Sequence, residues 1–190
     1  MKKIAQQFFL ITLTLFSILT LNGQNVTPIL PIDSVTGKIT YTKVVYVDSL
    51  ANKQVLFSKA REWFAKAYIS STNVIQMEDK ESGKIIGKAK IQVYTKGLFG
   101  GNYPAGFINY TISIFVKDYR YKYEITNFYH TGQDYTPDYG NCENMINSTA
   151  PEKKVYTQLL YQMDNNIKAL IEDLTSAMNS KDTNLKKDDW

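Results

Sequence analysis

The chain has 190 residues, with 22 Lys and Arg against 18 Asp and Glu, one His and one Cys. That length supplies one ordinary domain with its own core. A single Cys excludes an internal disulfide framework, a single His leaves little room for His-based catalysis, and a formal charge of +4 falls short of a nucleic-acid footprint.

The chain opens with MKKIAQQFFLITLTLFSILTLNGQN, in which Lys2 and Lys3 precede an apolar stretch from Phe8 to Leu21. The stretch is shorter than the ~20 residues of a membrane span. It reads as a signal peptide over residues 1–23, cut near Gly23-Gln24, so the expected location is periplasmic or secreted. No Cys follows the leader, which excludes lipid attachment there, and the cleaved chain is expected to keep no stable membrane span. Loss of Lys2 and Lys3 lowers the formal charge from +4 to +2.

Residues 24–35, with Pro28 and Pro31, read as an extended lead-in. A single domain is expected over 36–180, followed by a flexible tail at 181–190. A turn carrying Gly37 leads into a strand in which Ile39, Tyr41, Val45 and Val47 share one face and Lys38, Thr40 and Thr42 the other. Asp48 and Ser49 are the expected helix caps. After them Leu56, Ala60, Trp63, Phe64 and Ala67 recur at spacings of three and four, the stripe of an amphipathic helix.

Four strands are expected next. Asn73 to Asp79 turns into Lys84 to Tyr94, where Ile85, Gly87, Ala89, Ile91 and Val93 alternate with Ile86, Lys88, Lys90, Gln92 and Tyr94. Gly87 and Ala89 leave room for the helix bearing Trp63. A Gly-rich loop over 97–106 precedes a hairpin turning at Lys117 to Arg120. Its inward residues are Tyr110, Ile112, Ile114 and Val116, then Tyr121, Tyr123 and Ile125. Residues 130–151 read as a polar surface loop. A closing helix carries Leu160, Met163, Ile167, Leu170, Ile171, Leu174 and Met178, with a break expected at Asp164 to Asn166. Strand, helix, four antiparallel strands, helix is the pattern of a two-layer α+β domain with helices on one face of the sheet.

The runs Pro31-Ile32-Asp33, Thr36-Gly37-Lys38-Ile39 and Tyr41 resemble the opening of a bacterial exported family of unknown function described as having a TATA-binding-protein-like fold. Glu62-Trp63-Phe64, Gly83-Lys84-Ile85-Ile86-Gly87 and Lys117-Asp118 before Arg120-Tyr121 are similar too. The resemblance spans residues 31–129 and implies the same element order, with no activity attached. It departs at Tyr119, where a turn Gly is expected, which implies a distorted hairpin.

The chemistry-bearing residues are few. His130, Asp134, Asp138, Cys142 and Glu143 fall in one predicted loop, but the loop is acidic and open, and no spacing matches a metal site. No catalytic residue, metal or cofactor is assigned. Nucleic acid is rejected as a partner, since the fold alone does not carry DNA binding. Of the 14 Tyr, seven are expected outside the core: Tyr46, Tyr94, Tyr103, Tyr119, Tyr129, Tyr135 and Tyr139. Alternation puts Lys88, Lys90, Arg120 and Lys122 on the uncovered sheet face, on strands expected to lie near one another, with Phe115 and Phe128 as the large rings beside them. The reading is a non-enzymatic module binding a ligand or protein of the cell envelope, acidic if these cations carry the contact. The alternative is a carboxylate-based hydrolase acting on envelope material.

Overall fold

The computed structural model describes residues 28–47, 51–68, 71–97 and 100–180. The expected leader, the caps Asp48 and Ser49, and the tail lie outside the described residues. Strand β1 spans Tyr41–Tyr46, α1 Lys53–Ala67, α2 Ser71–Val74, β2 Ile75–Asp79, β3 Lys84–Lys96 and β4 Asn102–Lys117. Then come β5 at Arg120–Thr131, β6 at Gly140–Asn141, α3 at Glu143–Ile146 and α4 at Lys153–Asn179. The strands pair antiparallel in the order β1-β5-β4-β3-β2, and β6 pairs with the end of β5. Helices α1 and α4 pack on one side, which gives the two-layer α+β arrangement.

Alternation works as expected in the sheet centre. Ile85 and Val93 of β3, Ile108, Ile112 and Ile114 of β4, and Tyr121 and Ile125 of β5 are buried against Leu56, Ala60, Trp63 and Phe64 of α1 and Leu160, Met163 and Ile167 of α4. A side chain at Gly87 would bring its Cβ to 2.7 Å from the Phe64 ring. The glycine thus lets the helix sit on the sheet, but the ring that fills the space is Phe64. Trp63 packs edge-on against Phe64 and Tyr68, and its indole N–H donates to Asp173 of α4 at 2.7 Å.

The short motifs have structural causes. Asp33 Oδ1 accepts the Thr36 backbone N–H at 2.7 Å and the Thr36 hydroxyl at 2.8 Å, closing a turn that needs Gly37 at φ 69°. Gly83, at φ 70°, brings its backbone against Val116, whose N–H donates to the Gly83 carbonyl at 2.8 Å. Asp118, in the β4–β5 turn, accepts the Lys53 N–H at 2.7 Å, while the Asn52 side chain accepts the Val55 N–H at 3.0 Å. Helix α1 is therefore capped by Asn52 and by a distant turn, which satisfy two of its orphan donors. Tyr119 sits at φ 64°, and its N–H and C=O bond to Ala51 and Val47. The turn lacks the expected Gly, and these contacts hold its unusual backbone.

Three expectations are corrected. The Gly-rich loop is shorter, because β4 already begins at Asn102. The polar loop is only partly a loop: His130 and Thr131 end β5, β6 and α3 follow, and Cys142 and Met145 are in the core. Helix α4 runs unbroken through Asp164 to Asn166. Asp164 faces inward and accepts the Tyr41 hydroxyl at 2.8 Å and Lys168 Nζ at 2.7 Å, while Asn166 donates to the Gln162 carbonyl at 2.8 Å. Side chains so engaged do not compete with the helix for its own N–H groups.

A further difference lies in β5. Opposite Asn109 and Thr111 of β4 the register slips, and Asn127 adopts φ 59°. One extra residue reverses the in-out sense of the strand beyond it. Phe128 and His130 therefore turn into the core and Tyr129 turns out, so Phe128 does not belong to the open face.

Candidate ligand-binding face

The sheet surface away from α1 and α4 is laid out by register. One row across it reads Val44, Lys122, Phe115, Lys84; the next toward the β4–β5 turn reads Tyr46, Arg120, Lys117. Farther along are Thr126, Thr111 and Lys88, then Tyr129, Asn109 and Lys90. All four sequence-predicted cations thus share this face. They do not form one cluster, because β4 separates their strands and they pair with different parts of it. Thr111, opposite Lys88, and Phe115, opposite Lys122, are four residues apart on β4, about 13 Å at ~3.3 Å per residue.

One of the two pairs lines a concavity of this face. Arg120 and Lys122 border a cleft of about 450 Å³ with Val44, Tyr46, Phe115 and Lys117. The wider hollow of about 890 Å³ near Lys88 and Lys90 opens on the helix side of the sheet instead, since Ala67 and Tyr68 of α1, Val74 of α2 and the inward-facing Ala89 and Tyr110 are among its walls. Neither is lined by a carboxylate. The cations lean on rings: Lys90 Nζ lies 4.1 Å from the Phe107 centroid, and Lys84 and Lys122 lie 5.5 and 5.7 Å from that of Phe115. Lys122 also bonds Glu124 at 2.9 Å. Both partners keep access to water, so this ion pair is weak and can exchange for another anion.

Lys84, Lys117 and Phe107 were missed as members of this face. Only pairing register joins Lys84 to Lys122, and Lys117 reads as a turn residue. Six of the seven tyrosines expected outside the core are exposed; Tyr139 instead stacks on His130 with ring centroids 4.9 Å apart.

Of the residues that looked reactive in the sequence, His130 and Cys142 are built into the interior, Glu143 is half-buried, and Asp134 and Asp138 are exposed. His130 is fully buried; Nε2 meets the Ala105 carbonyl at 2.9 Å, and Nδ1 accepts the Tyr139 N–H at 3.3 Å. Those partners fix a neutral ring protonated on Nε2, and burial pushes its pKa below the usual histidine value. Cys142 is equally buried, with its thiol pushed up to about 12. Asp138 accepts the Gly132 N–H and Glu143 the Ile39 N–H. Among the described residues no three His, Cys, Asp or Glu side chains converge as a metal site would require.

Residues 41–131 match the family described as "Domain of unknown function (DUF4468) with TBP-like fold". Over this stretch, just under half of its length, the chain is similar to that family. Two solved structures are similar to this chain in fold. One is a DUF4468 family protein from Bacteroides ovatus, 16% identical, with TM-score 0.58 over 80% of this chain and 92% of that one. The other is a TBP-like protein from Parabacteroides distasonis, 16% identical, with TM-score 0.54 over 77% and 97%. At that identity both bear on the fold alone. No curated protein matches the chain. Among the described residues no helix is long and apolar enough to cross a membrane.

Proposed function

We propose that this domain is an exported, non-enzymatic binding module that presents its open sheet face to an acidic partner in the cell envelope. The observation that carries the reading is the composition of that face. Lys84, Lys88, Lys90, Lys117, Arg120 and Lys122 lie on it beside half-buried Phe107 and Phe115, and a concavity there is bordered by cations and rings. Gathering like charges on one surface costs repulsion, which an acidic partner removes. A hydrolase built on paired carboxylates gains no support, since the cleft of this face has none in its walls.

The test compares wild type with Lys88→Gln/Lys90→Gln and Arg120→Gln/Lys122→Gln, after melting curves establish that both variants fold. Envelope partners are captured at low and moderate salt. Recovery should fall with salt, as screening shortens the reach of charge to about 8 Å at physiological ionic strength, and should fall in at least one variant. Equal recovery by all three proteins removes the face from the account. Export is tested separately: mass measurement of the mature product should show about 23 residues lost.

A further inference from the structure

The cleft bordered by Arg120 and Lys122 on the open face has walls of two kinds. Its floor is the Phe115 ring, with Lys84 and Lys122 within cation–π reach on β3 and β5. Its β1 wall is Val44 and Tyr46, which leave 47% and 73% of their surface open. Its end is closed by Arg120 and Lys117, paired across the hairpin. An apolar floor rimmed by cations, at about 450 Å³, lies in the range of small-ligand sites, roughly 300–1,000 Å³. Resting on the reading of this face as a binding surface, we infer that the Phe115 cleft takes a free anionic amphiphile, a carboxylate or phosphate on an alkyl or aromatic body.

The chemistry follows from the two kinds of wall. The anionic head meets Arg120, whose planar fork suits a carboxylate or phosphate, and Lys122, which exchanges Glu124 for the ligand. The body lies on Phe115 between Val44 and Tyr46 and removes apolar surface from water. A purely anionic ligand leaves those three side chains wet, and a neutral alkyl chain leaves the cations unmatched. The site is a hollow between side-chain rows, which fits a single molecule entering it better than a bilayer lying across it.

The experiment is equilibrium titration of the folded protein with decanoate and decyl phosphate, both below their micelle range. Decanol, inorganic phosphate and phosphatidylglycerol vesicles serve as comparisons. At least one of the two amphiphiles should bind saturably at one site, and decanol and inorganic phosphate should not. Arg120→Gln/Lys122→Gln should weaken binding about tenfold, the loss of two partly exposed charge contacts. Val44→Ser/Tyr46→Ser should weaken it while leaving the melting temperature within a few degrees, and Lys88→Gln/Lys90→Gln should leave it unchanged. Unaltered affinity in the Arg120/Lys122 variant, equal binding of decanol, or association with vesicles alone overturns the inference. Should neither amphiphile bind while envelope capture stays salt-sensitive, this inference fails and the wider reading of the face stands.

Discussion

Gly87→Ala measures how tightly α1 is seated. Gly87 is buried in β3, and a Cβ there would meet Phe64 Cε1 at 2.7 Å and Val74 Cγ1 at 3.1 Å. Real carbons do not sit at the first distance, so something must shift. Phe64 cannot swing away cheaply, because it is fully buried with the Trp63 and Tyr68 rings 5.1 and 5.8 Å away, centroid to centroid. Overpacking of this kind costs about 1–3 kcal/mol. Replacing a strand Gly by Ala returns roughly 0.5–1 kcal/mol through the unfolded chain. The expected net loss is about 1–2 kcal/mol, read as a lower urea midpoint at unchanged m-value. Phe64→Leu alone should also destabilise, by vacating ring volume. Together with Gly87→Ala it should cost less than the two separate losses added, by about 1 kcal/mol, because the added methyl occupies space the ring has left. A Gly87→Ala protein as stable as wild type, or strict additivity in the cycle, would refute the claim that Gly87 sets the helix–sheet distance.

Trp63→Ala should cost about 3–5 kcal/mol in the same assay, as a buried ring with edge contacts and an Asp173 bond is lost; a loss under about 1 kcal/mol would contradict its place in the core. His130 has its folded pKa lowered by burial, so its contribution is intact above its unfolded value of about 6.5 and is lost as pH falls from there through the folded value. Urea midpoints at pH 7.5 and 5 should therefore differ more for wild type than for His130→Gln, and equal differences would remove His130 from the pH response. Cys142, buried and with its pKa pushed up to about 12, should resist a thiol reagent at pH 8 in the native state and react promptly in urea; rapid native labelling would place it at the surface.

The sheet centre was legible because period-two patterning is a local signal. Ile85 to Val93 and Tyr110 to Val116 declare their faces from spacing alone, and the α1 stripe with its Gly87 clearance follows from residue size. What escaped the sequence is set by contacts between distant segments. The N-cap of α1 reads as Asp48 or Ser49 while Asp118 lies 65 residues away from the N–H it accepts. Asp164 looks like a helix breaker until the Tyr41 hydroxyl, 123 residues distant, gives its carboxylate a buried partner.

The binding face shows the same division more sharply. Which residues point outward on β3 is a matter of parity, so Lys88 and Lys90 could be named. Which outward residues meet is a matter of register, and register depends on where a strand gains or loses one residue. Asn127 is such a place: its positive φ inserts a residue opposite β4, moves Phe128 from the open face to the core, and exposes Tyr129 in its stead. No composition signal marks that bulge except that Asn tolerates the left-handed region better than most residues. The cleft is formed before this bulge, in the unshifted part of β5, where Lys122 still faces Phe115 and Arg120 still faces Lys117. The irregularity falls between the row of Lys88, which reaches Thr126, and the row of Lys90, which reaches Tyr129, so Lys88 lies with the cleft in the unshifted part of the sheet. The four-residue spacing on β4 between the partners of Lys88 and Lys122 keeps the two cation pairs apart, so a ligand of the cleft is to be sought at the Arg120 and Lys122 end of the face.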